Sequence, residues 1–133
     1  IGAAEVTVWG TGAPRREFLY VEDLSEACVF LMQRYSGGGI VNIGTGEDLT
    51  IAELAQLVKD VVGYDGQIQF DPDKPDGTPV KRLDVSRLAA LGWQAKTSLR
   101  AGIEATYRWY CKEEALSEYL KREGSSVKGG GKR

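Results

Sequence analysis

The segment from Thr50 to Gly63 most constrains the fold of this chain, because it carries the signals of a complete amphipathic helix. Thr50 and Glu53 stand three residues apart, the spacing at which threonine and glutamate cap a helix N-terminus reciprocally. Gly63 is typical of the left-handed residue that ends a helix. The apolar face between them comprises Ile51, Leu54, Ala55, Leu57, Val58, Val61 and Val62. The sequence therefore predicts a helix over 50–62 that neighbouring elements cover on two sides.

Extended segments and helices alternate along the rest of the chain. Strands are predicted over 5–9 (EVTVW), 40–43 (IVNI) and 67–70 (QIQF), with further extended pieces over 17–21 and 80–85. Additional helices are predicted from Asp23 to the glycines at 37–39, over SRLAALGW up to Gly92, and from about Ser98 to about Leu120. This alternation predicts an α/β or α+β class.

The first of those helices has its own start signal and apolar stripe. Asp23 and Glu26 have the spacing of a capping box. Leu24, Ala27, Cys28 and Leu31 follow at helical spacing. We therefore expect this helix to begin at Asp23 and to bury the Cys28 thiol.

Composition excludes several classes of function. The 133 residues carry a formal charge of −2, so no global field favours nucleic acid or an acidic membrane. The absence of histidine excludes His-based nucleophilic triads and His-ligated metals. Cys28 and Cys111 form no CxxC pair, so neither a zinc site nor a disulfide framework is indicated. With no apolar run of about 18 residues and no secretory signal at the start, we expect a cytoplasmic protein that does not enter membranes.

The chain is expected to form one domain over 1–120 followed by a disordered tail over 121–133. The tail sequence, EGSSVKGGGKR at its end, has almost nothing to bury. Its cations leave nucleic-acid contact open as a minor alternative, which the overall charge does not favour.

Two GxG triplets invite comparison with dinucleotide-binding loops, which need a strand, a glycine turn and a helix N-terminus in succession. Gly10-Thr11-Gly12 leads into Ala13-Pro14 and another extended piece rather than a helix. Gly44-Thr45-Gly46 does precede a helix, but two carboxylates follow it at 47 and 48, where a phosphate would be repelled. We interpret both triplets as turns.

The stretch RREFLYV places an arginine in an unusual setting. If residues 15–20 are extended, alternate side chains lie on opposite sides of the chain. One side then carries Arg16, Phe18 and Tyr20, and the other carries Arg15, Glu17 and Leu19. We expect Arg15 and Glu17 to face water. Arg16 is left with two interpretations: an ion pair with a residue such as Asp23, or a guanidinium that holds phosphate through two nitrogens.

The turn KPDGTP, at residues 74–79, concentrates positive charge, because Lys74, Lys81 and Arg82 all lie at or next to it. In an extended VKRLD segment, Lys81 and Arg82 point to opposite sides, so one ligand cannot contact both without a bulge. Taken alone, this stretch is predicted to be a charged, solvated corner.

Four segments, taken in order, resemble the C-terminal part of the GDP-L-fucose synthase family, which belongs to the extended short-chain dehydrogenases. They are VTVWGTGAPRREFLYVEDLSEACVFLM, VNIGTGEDLTIAELAQLV, FDPDKPDGTPVKRLDVSRLAALGW and TSLRAGIEATYRWY, and they span about residues 3–113. The motif WGTG.P.REFLYV.D followed at the family's spacing by KPDGTP is more specific than either motif alone.

The resemblance implies a nucleotide-sugar site and selects its residues. By analogy with the family, Trp9 and Arg16 contact the GDP-sugar, and Lys81 contacts its diphosphate or nucleotide. Where the family usually has Arg-Lys after KPDGTP, this chain has Val80-Lys81, with a cation at Arg82 instead. The substrate-binding candidates are Trp9, Arg16, Lys74, Asp76 and Lys81.

Other features of the family are not found in these 133 residues. The family carries a Rossmann half with a glycine-rich NADP fingerprint, a Ser…Tyr-x-x-x-Lys catalytic set, and a cysteine and a histidine for epimerisation. Neither Cys28 nor Cys111 matches that cysteine by position. We therefore expect a fragment: the substrate-binding half without the Rossmann half. Catalytic, cofactor-binding and metal-binding residues are expected to be absent, and with them the family's NADP.

The expected partners follow from the same resemblance. GDP or a GDP-sugar is the expected ligand, with no turnover by the chain alone. The expected protein partner is a second copy or a complementing Rossmann half. A dimer is the simplest form, because association could bury the part of the apolar face of helix 50–62 that the Rossmann half covers in the family. The alternative is a small non-catalytic interaction or oligomerising module that binds no ligand.

Overall fold

A computed structural model describes the backbone of residues 4–126 and the side chains of residues 4–115 and 117. In chain order the elements are the strands and helices β1 (Glu5–Trp9), β2 (Arg15–Arg16), α1 (Val21–Arg34), β3 (Leu49–Thr50), α2 (Ile51–Val62), β4 (Gln67–Asp71), β5 (Val80–Lys81), α3 (Ser86–Ala90) and α4 (Leu99–Ser126). Strands and helices alternate, which confirms the predicted α/β class.

The strands form two small sheets. In the first, β1 lies parallel to β4, with Trp9 opposite Asp71 at its end. In the second, β2 is the central strand between antiparallel β3 and parallel β5. The turns that follow β1 and β4 therefore lie side by side, and they lead into β2 and β5 respectively.

The helix α2 forms as the sequence predicts. The Thr50 hydroxyl accepts from the Glu53 amide at 3.0 Å, and the Glu53 carboxylate accepts from the Thr50 amide at 2.7 Å. Gly63 ends the helix in the left-handed conformation, with φ of 68°. One side of α2 packs on α4, and at the helix N-terminus the Ala52 amide donates to the Gly12 carbonyl. No residue of α2 is fully buried, so the predicted cover on two sides is not confirmed.

The helix α1 begins at Val21, two residues before the predicted start, and the predicted capping box at Asp23 and Glu26 is wrong. The carboxylate of Asp23 instead accepts from the amides of Lys96 and Thr97 at 3.1 and 2.8 Å, and from the Thr97 hydroxyl at 2.9 Å. Asp23 thus joins α1 to the segment that leads into α4. A long-range partner has replaced the local one.

The fully buried core is small and lies between α1 and α3. Ala27, Leu88 and Trp93 form it, and Leu19, Phe30, Leu31, Val41, Ile43 and Ala95 pack around it. Only one stripe of α1 contacts this core. Cys28, next to Ala27, therefore points away from it and is exposed, so the prediction of a buried thiol is wrong.

Two further predictions differ from the structure. Residues 40–43 form no strand, because no other segment of residues 4–126 pairs with them, although Val41 and Ile43 do pack on the core. The last helix continues to Ser126, so residues 121–126 are helical rather than part of a disordered tail. The remainder of the predicted tail, residues 127–133, lies outside the described residues.

Candidate functional site

Two turns are locked together at the ends of β1 and β4. The carboxylate of Asp76 accepts from the Thr11 amide at 2.6 Å and from the Thr11 hydroxyl at 2.7 Å. Gly10 permits this contact, because its φ is 87° and a Cβ there would collide with the Asp76 carboxylate. Both oxygens of Asp76 are thus used inside the chain. Asp76 thus fixes the two turns to each other, and we call the joined turns the frame.

The frame brings Trp9 and Lys74 together. Trp9 is the last residue of β1 and remains 73% exposed. The ammonium of Lys74 lies 5.9 Å from the centroid of the indole ring, within the range of a cation–π contact. The ring therefore has one face near a cation and most of its area open to a ligand.

Arg16 and Lys81 lie opposite each other on the adjacent parallel strands β2 and β5. Among the described side chains (4–115 and 117) neither has an ion-pair partner, and Arg16 donates to the Arg15 carbonyl at 2.7 Å. Both line one cavity of about 460 Å³. A Cβ added to Gly77 would lie 3.7 Å from Nη2 of Arg16, so the KPDGTP turn lies beside the Arg16 side chain. The five sequence candidates thus lie in one region.

The ion pair between Arg16 and Asp23, one of the two interpretations, is not formed. Asp23 is bound to Lys96 and Thr97, as described above. The alternation that suggested a shared face also ends early, because β2 stops at Arg16. Phe18 and Tyr20 line a separate apolar cavity of about 540 Å³ between α2 and α4. The premise that they flank Arg16 is wrong.

Arg15, expected in water, is bound by a carboxylate. Its Nε lies 2.5 Å from Oδ1 of Asp48, and its Nη2 donates to the Asp48 carbonyl at 3.0 Å. Arg82 lies 3.8 Å from the other oxygen of Asp48. Only 7% of the Asp48 side chain is exposed. The arginine that precedes Arg16 is therefore engaged in structure.

Glu17 was also expected to face water, but three backbone amides bind its carboxylate. Its Oε1 accepts from the amides of Thr45 and Gly46, and its Oε2 accepts from the Leu83 amide at 2.7 Å. Burial alone would raise the pKa of Glu17, but these amides outweigh it and hold the pKa below its usual value. The Gly44–Gly46 turn thus binds an anion of the chain itself.

Sequence reasoning missed both Asp48 and Glu17 as anchors. Their partners lie between 28 and 66 residues away along the chain. The carboxylate of Asp48 was interpreted only as a barrier to phosphate at the second GxG turn. A local signal did exist for that turn, since consecutive amides at a glycine turn attract some anion. Which anion occupies it was not evident from spacing.

Other kinds of site find no support in the described part of the chain. Across residues 4–126, the described side chains contain no group of three or more His, Cys, Asp or Glu able to hold a metal ion. No helix in that range combines the length and apolarity needed to cross a bilayer.

Comparison with known proteins shows what this chain is similar to. Residues 2–44 match the model of the NAD dependent epimerase/dehydratase family. The chain is 61% identical over 111 residues to GDP-L-fucose synthase 1 of Arabidopsis thaliana, covering 84% of this chain and 34% of that protein. It is 46% identical over 121 residues to GDP-L-fucose synthase of Escherichia coli K12, covering 84% of this chain and 38% of the relative.

Solved structures give the same result. A GDP-L-fucose synthetase from Naegleria fowleri bound to NADP superposes with a TM-score of 0.79 at 26% identity, covering 84% of this chain and 36% of that one. A GDP-6-OMe-4-keto-L-xylo-heptose reductase from C. jejuni gives 0.76 at 37% identity, covering 82% and 34%. The chain is a partial piece of an extended short-chain dehydrogenase fold. It spans about a third of the length of the curated GDP-L-fucose synthases it matches, and the predicted resemblance is confirmed.

Proposed function

We propose that this piece of an extended short-chain dehydrogenase binds the nucleotide part of a GDP-sugar, with Arg16 and Lys81 holding the diphosphate. The observation that carries the proposal is the pairing of these two cations across β2 and β5, with no ion-pair partner for either among the side chains that the structure describes. Cations that line a cavity without a carboxylate partner are available to an anion from solution.

The two cations suit a diphosphate in different ways. The half-buried guanidinium of Arg16 can hold two phosphate oxygens in one plane, whereas Lys81 supplies an exposed point charge. The exposed ring of Trp9 offers a flat surface for the base or sugar. Lys74 lies beside that ring, while Asp76 serves the site by fixing the turn. Names of the relatives, which are GDP-sugar enzymes, support this ligand class.

Calorimetric titration with GDP and GDP-mannose, beside guanosine as the control without phosphate, tests the proposal. We expect heat and a thermal shift with both phosphate-bearing ligands and neither with guanosine at the same concentration. Inorganic pyrophosphate should compete with GDP. No heat and no thermal shift with GDP at millimolar concentration would contradict the proposal.

We further propose that this chain alone does not turn over a GDP-sugar. Its 133 residues contain no Tyr-x-x-x-Lys set and no histidine, both of which the family resemblance calls for. The purified chain should show no NADPH oxidation with GDP-4-keto-6-deoxymannose. Oxidation above a control without protein would overturn this part of the proposal.

A second candidate function, as an interaction or oligomerising module, has its own supporting observation. Large apolar side chains are exposed on α1 and just after it, with Met32 at 85% and Ile40 at 86%. Such surfaces commonly contact another protein surface. The dimer predicted through α2 is thus better supported at α1, because α2 already packs on α4. Light scattering that reports a monomer at tens of micromolar would argue against self-association.

A further inference from the structure

We infer that Glu17 is a positioning residue for the proposed anion site, and that its carboxylate holds Lys81 opposite Arg16. The inference rests on the proposed function for its ligand. Glu17 was predicted to face water, and it makes no proposed contact with the nucleotide.

The pairing of β2 with β5 is very short. It consists of the two opposed pairs Arg15–Val80 and Arg16–Lys81, preceded by a bond from the Arg15 amide to the Pro79 carbonyl at 2.8 Å. A two-residue ladder constrains an exposed strand only weakly. Lys81 stands at its end, where the strand is free to separate.

The side chain of Glu17 supplies the next link. Its Oε2 accepts from the Leu83 amide at 2.7 Å, two residues after Lys81. Lys81 is thus enclosed between two attachments to the same neighbouring segment: the Pro79 carbonyl before it and the Leu83 amide after it. The Glu17 carboxylate thus takes the place that a backbone carbonyl would have in a longer pairing of β2 with β5.

The other oxygen of Glu17 fixes the carboxylate itself. Oε1 accepts from the amides of Thr45 and Gly46, the latter at 2.9 Å. A Cβ on Gly44 would collide with this carboxylate, so the turn closes tightly around it. Hydrogen bonds to a carboxylate from several amides are among the stronger kinds in proteins. The turn at 44–46 therefore acts as a rigid support from which Glu17 holds β5.

This arrangement also resolves an electrostatic conflict. Glu17 lines the same cavity as Arg16 and Lys81, where a free carboxylate would repel a diphosphate. The carboxylate stays ionised, but both of its oxygens accept from amides, and the N–H dipoles of those amides offset part of its field. Glu17 can therefore hold β5 in place while Arg16 and Lys81 remain available to the diphosphate.

A double-mutant cycle tests the inference. Glu17→Gln should weaken GDP binding by about fivefold in the wild-type background and by less than about twofold in the Lys81→Ala background, because the loss acts through Lys81. Glu47→Gln is the matched control: it removes the same charge from an exposed residue nearby and should leave affinity unchanged. Equal losses in both backgrounds would overturn the inference.

Hydrogen exchange on the same variants separates this inference from the proposed function. The Leu83 amide should be protected in the wild type and in Glu47→Gln, and should lose protection in Glu17→Gln. If the wild type binds no GDP, the proposed function fails, and exchange at Leu83 still decides whether Glu17 holds the segment after Lys81. Unchanged protection in Glu17→Gln would overturn it.

A measurement on the wild type covers the case in which Glu17→Gln does not fold. In an NMR titration with acid, the amide protons of Thr45, Gly46 and Leu83 should shift together at one midpoint, below the usual range for glutamate. Independent midpoints, or a Leu83 amide that does not respond, would contradict the shared carboxylate.

Discussion

Arg15 and Arg16 are adjacent in sequence, yet their guanidinium groups have different surroundings. Arg15 and Arg82 both pair with the nearly buried carboxylate of Asp48. The guanidinium of Arg15 therefore holds β2 to the segment before β3. Arg16 lies opposite Lys81 of β5 and has no carboxylate partner among residues 4–115 and 117, whose side chains are described. A shift of one residue along a strand changes the side to which a side chain points. The difference separates a structural cation from one available to a ligand.

The largest expected effect is a difference in GDP affinity between these two arginines. Arg16→Ala should weaken binding about tenfold or more, because a charge-assisted contact to phosphate contributes about 1.5–3 kcal/mol. Arg15→Ala should change affinity by less than about threefold. Arg16→Lys should recover only part of the loss, since an ammonium cannot hold two oxygens in a plane. Calorimetry on the three variants gives the comparison, and equal losses for Arg15→Ala and Arg16→Ala would refute it.

A change to the partner of Arg15 should affect the stability of the fold rather than GDP affinity. Asp48→Asn should lower the free energy of unfolding by about 1–2 kcal/mol, because it leaves Arg15 without its charged partner in a half-buried place. GDP affinity of the folded protein should stay unchanged. Urea denaturation with Glu47→Gln as a control of equal charge measures the first, and calorimetry the second. An affinity loss as large as that of Arg16→Ala would place Asp48 in the binding site and erase the distinction.

Acid should destabilise the fold, because Asp23 and Glu17 are carboxylates that accept from distant amides. Burial would raise the pKa of Asp23, but hydrogen bonds from Thr97 and Lys96 outweigh it and lower the pKa, as amides do for Glu17. A carboxylate with a depressed folded pKa stabilises above its unfolded pKa, about 4 for these groups, and loses that contribution as pH falls through the folded value. Unfolding free energy should therefore fall below about pH 4.

Urea denaturation between pH 7 and pH 2.5 measures this dependence. Asp23→Asn should flatten part of the acid limb and lower stability at pH 7, because the amide cannot repeat the charge-assisted bonds. An acid limb of the same depth in Asp23→Asn and wild type would show that Asp23 does not carry the effect.

The smallest expected effect concerns Trp9. Trp9→Leu should weaken GDP binding by about threefold, because the ring is an open platform that holds no charge. Its stability cost should be within about 0.5 kcal/mol, as expected for an exposed side chain. Fluorescence quenching of wild type by GDP would support ring contact. An affinity loss larger than that of Arg16→Ala would move the centre of the site from the cations to the aromatic ring.

How far sequence reasoning reached depended on the range of the interactions involved. The helix α2 was predictable because both of its end signals are local: Thr50 and Glu53 cap its start, and Gly63 ends it in the left-handed conformation. Local patterns singled out Arg16, Lys74 and Lys81 as unusual cations, and the family resemblance gave them a ligand and added Trp9 and Asp76. Asp23 and Glu17 were misjudged for the same reason: local spacing offered each a role, but amides far along the chain bind them more fully.

The extended segments show the same limit. β1 and β4 were predictable from their own alternation, and they pair with each other over five residues. Residues 40–43 have the apolar composition of a strand, yet a strand needs a neighbour, and none lies beside them within residues 4–126. Alternation over residues 15–20 failed because β2 has only two residues.

The central claim is that Arg16, and not Arg15, meets the diphosphate. Side-chain Nε–H resonances of arginine report on each guanidinium separately, so an NMR titration of the wild-type chain with GDP tests the claim most directly. We predict that the Arg16 Nε–H signal shifts with GDP and saturates, while the Arg15 signal, held by Asp48, stays in place. A stationary Arg16 signal at saturating GDP, or a shift of Arg15 as large as that of Arg16, would contradict the account.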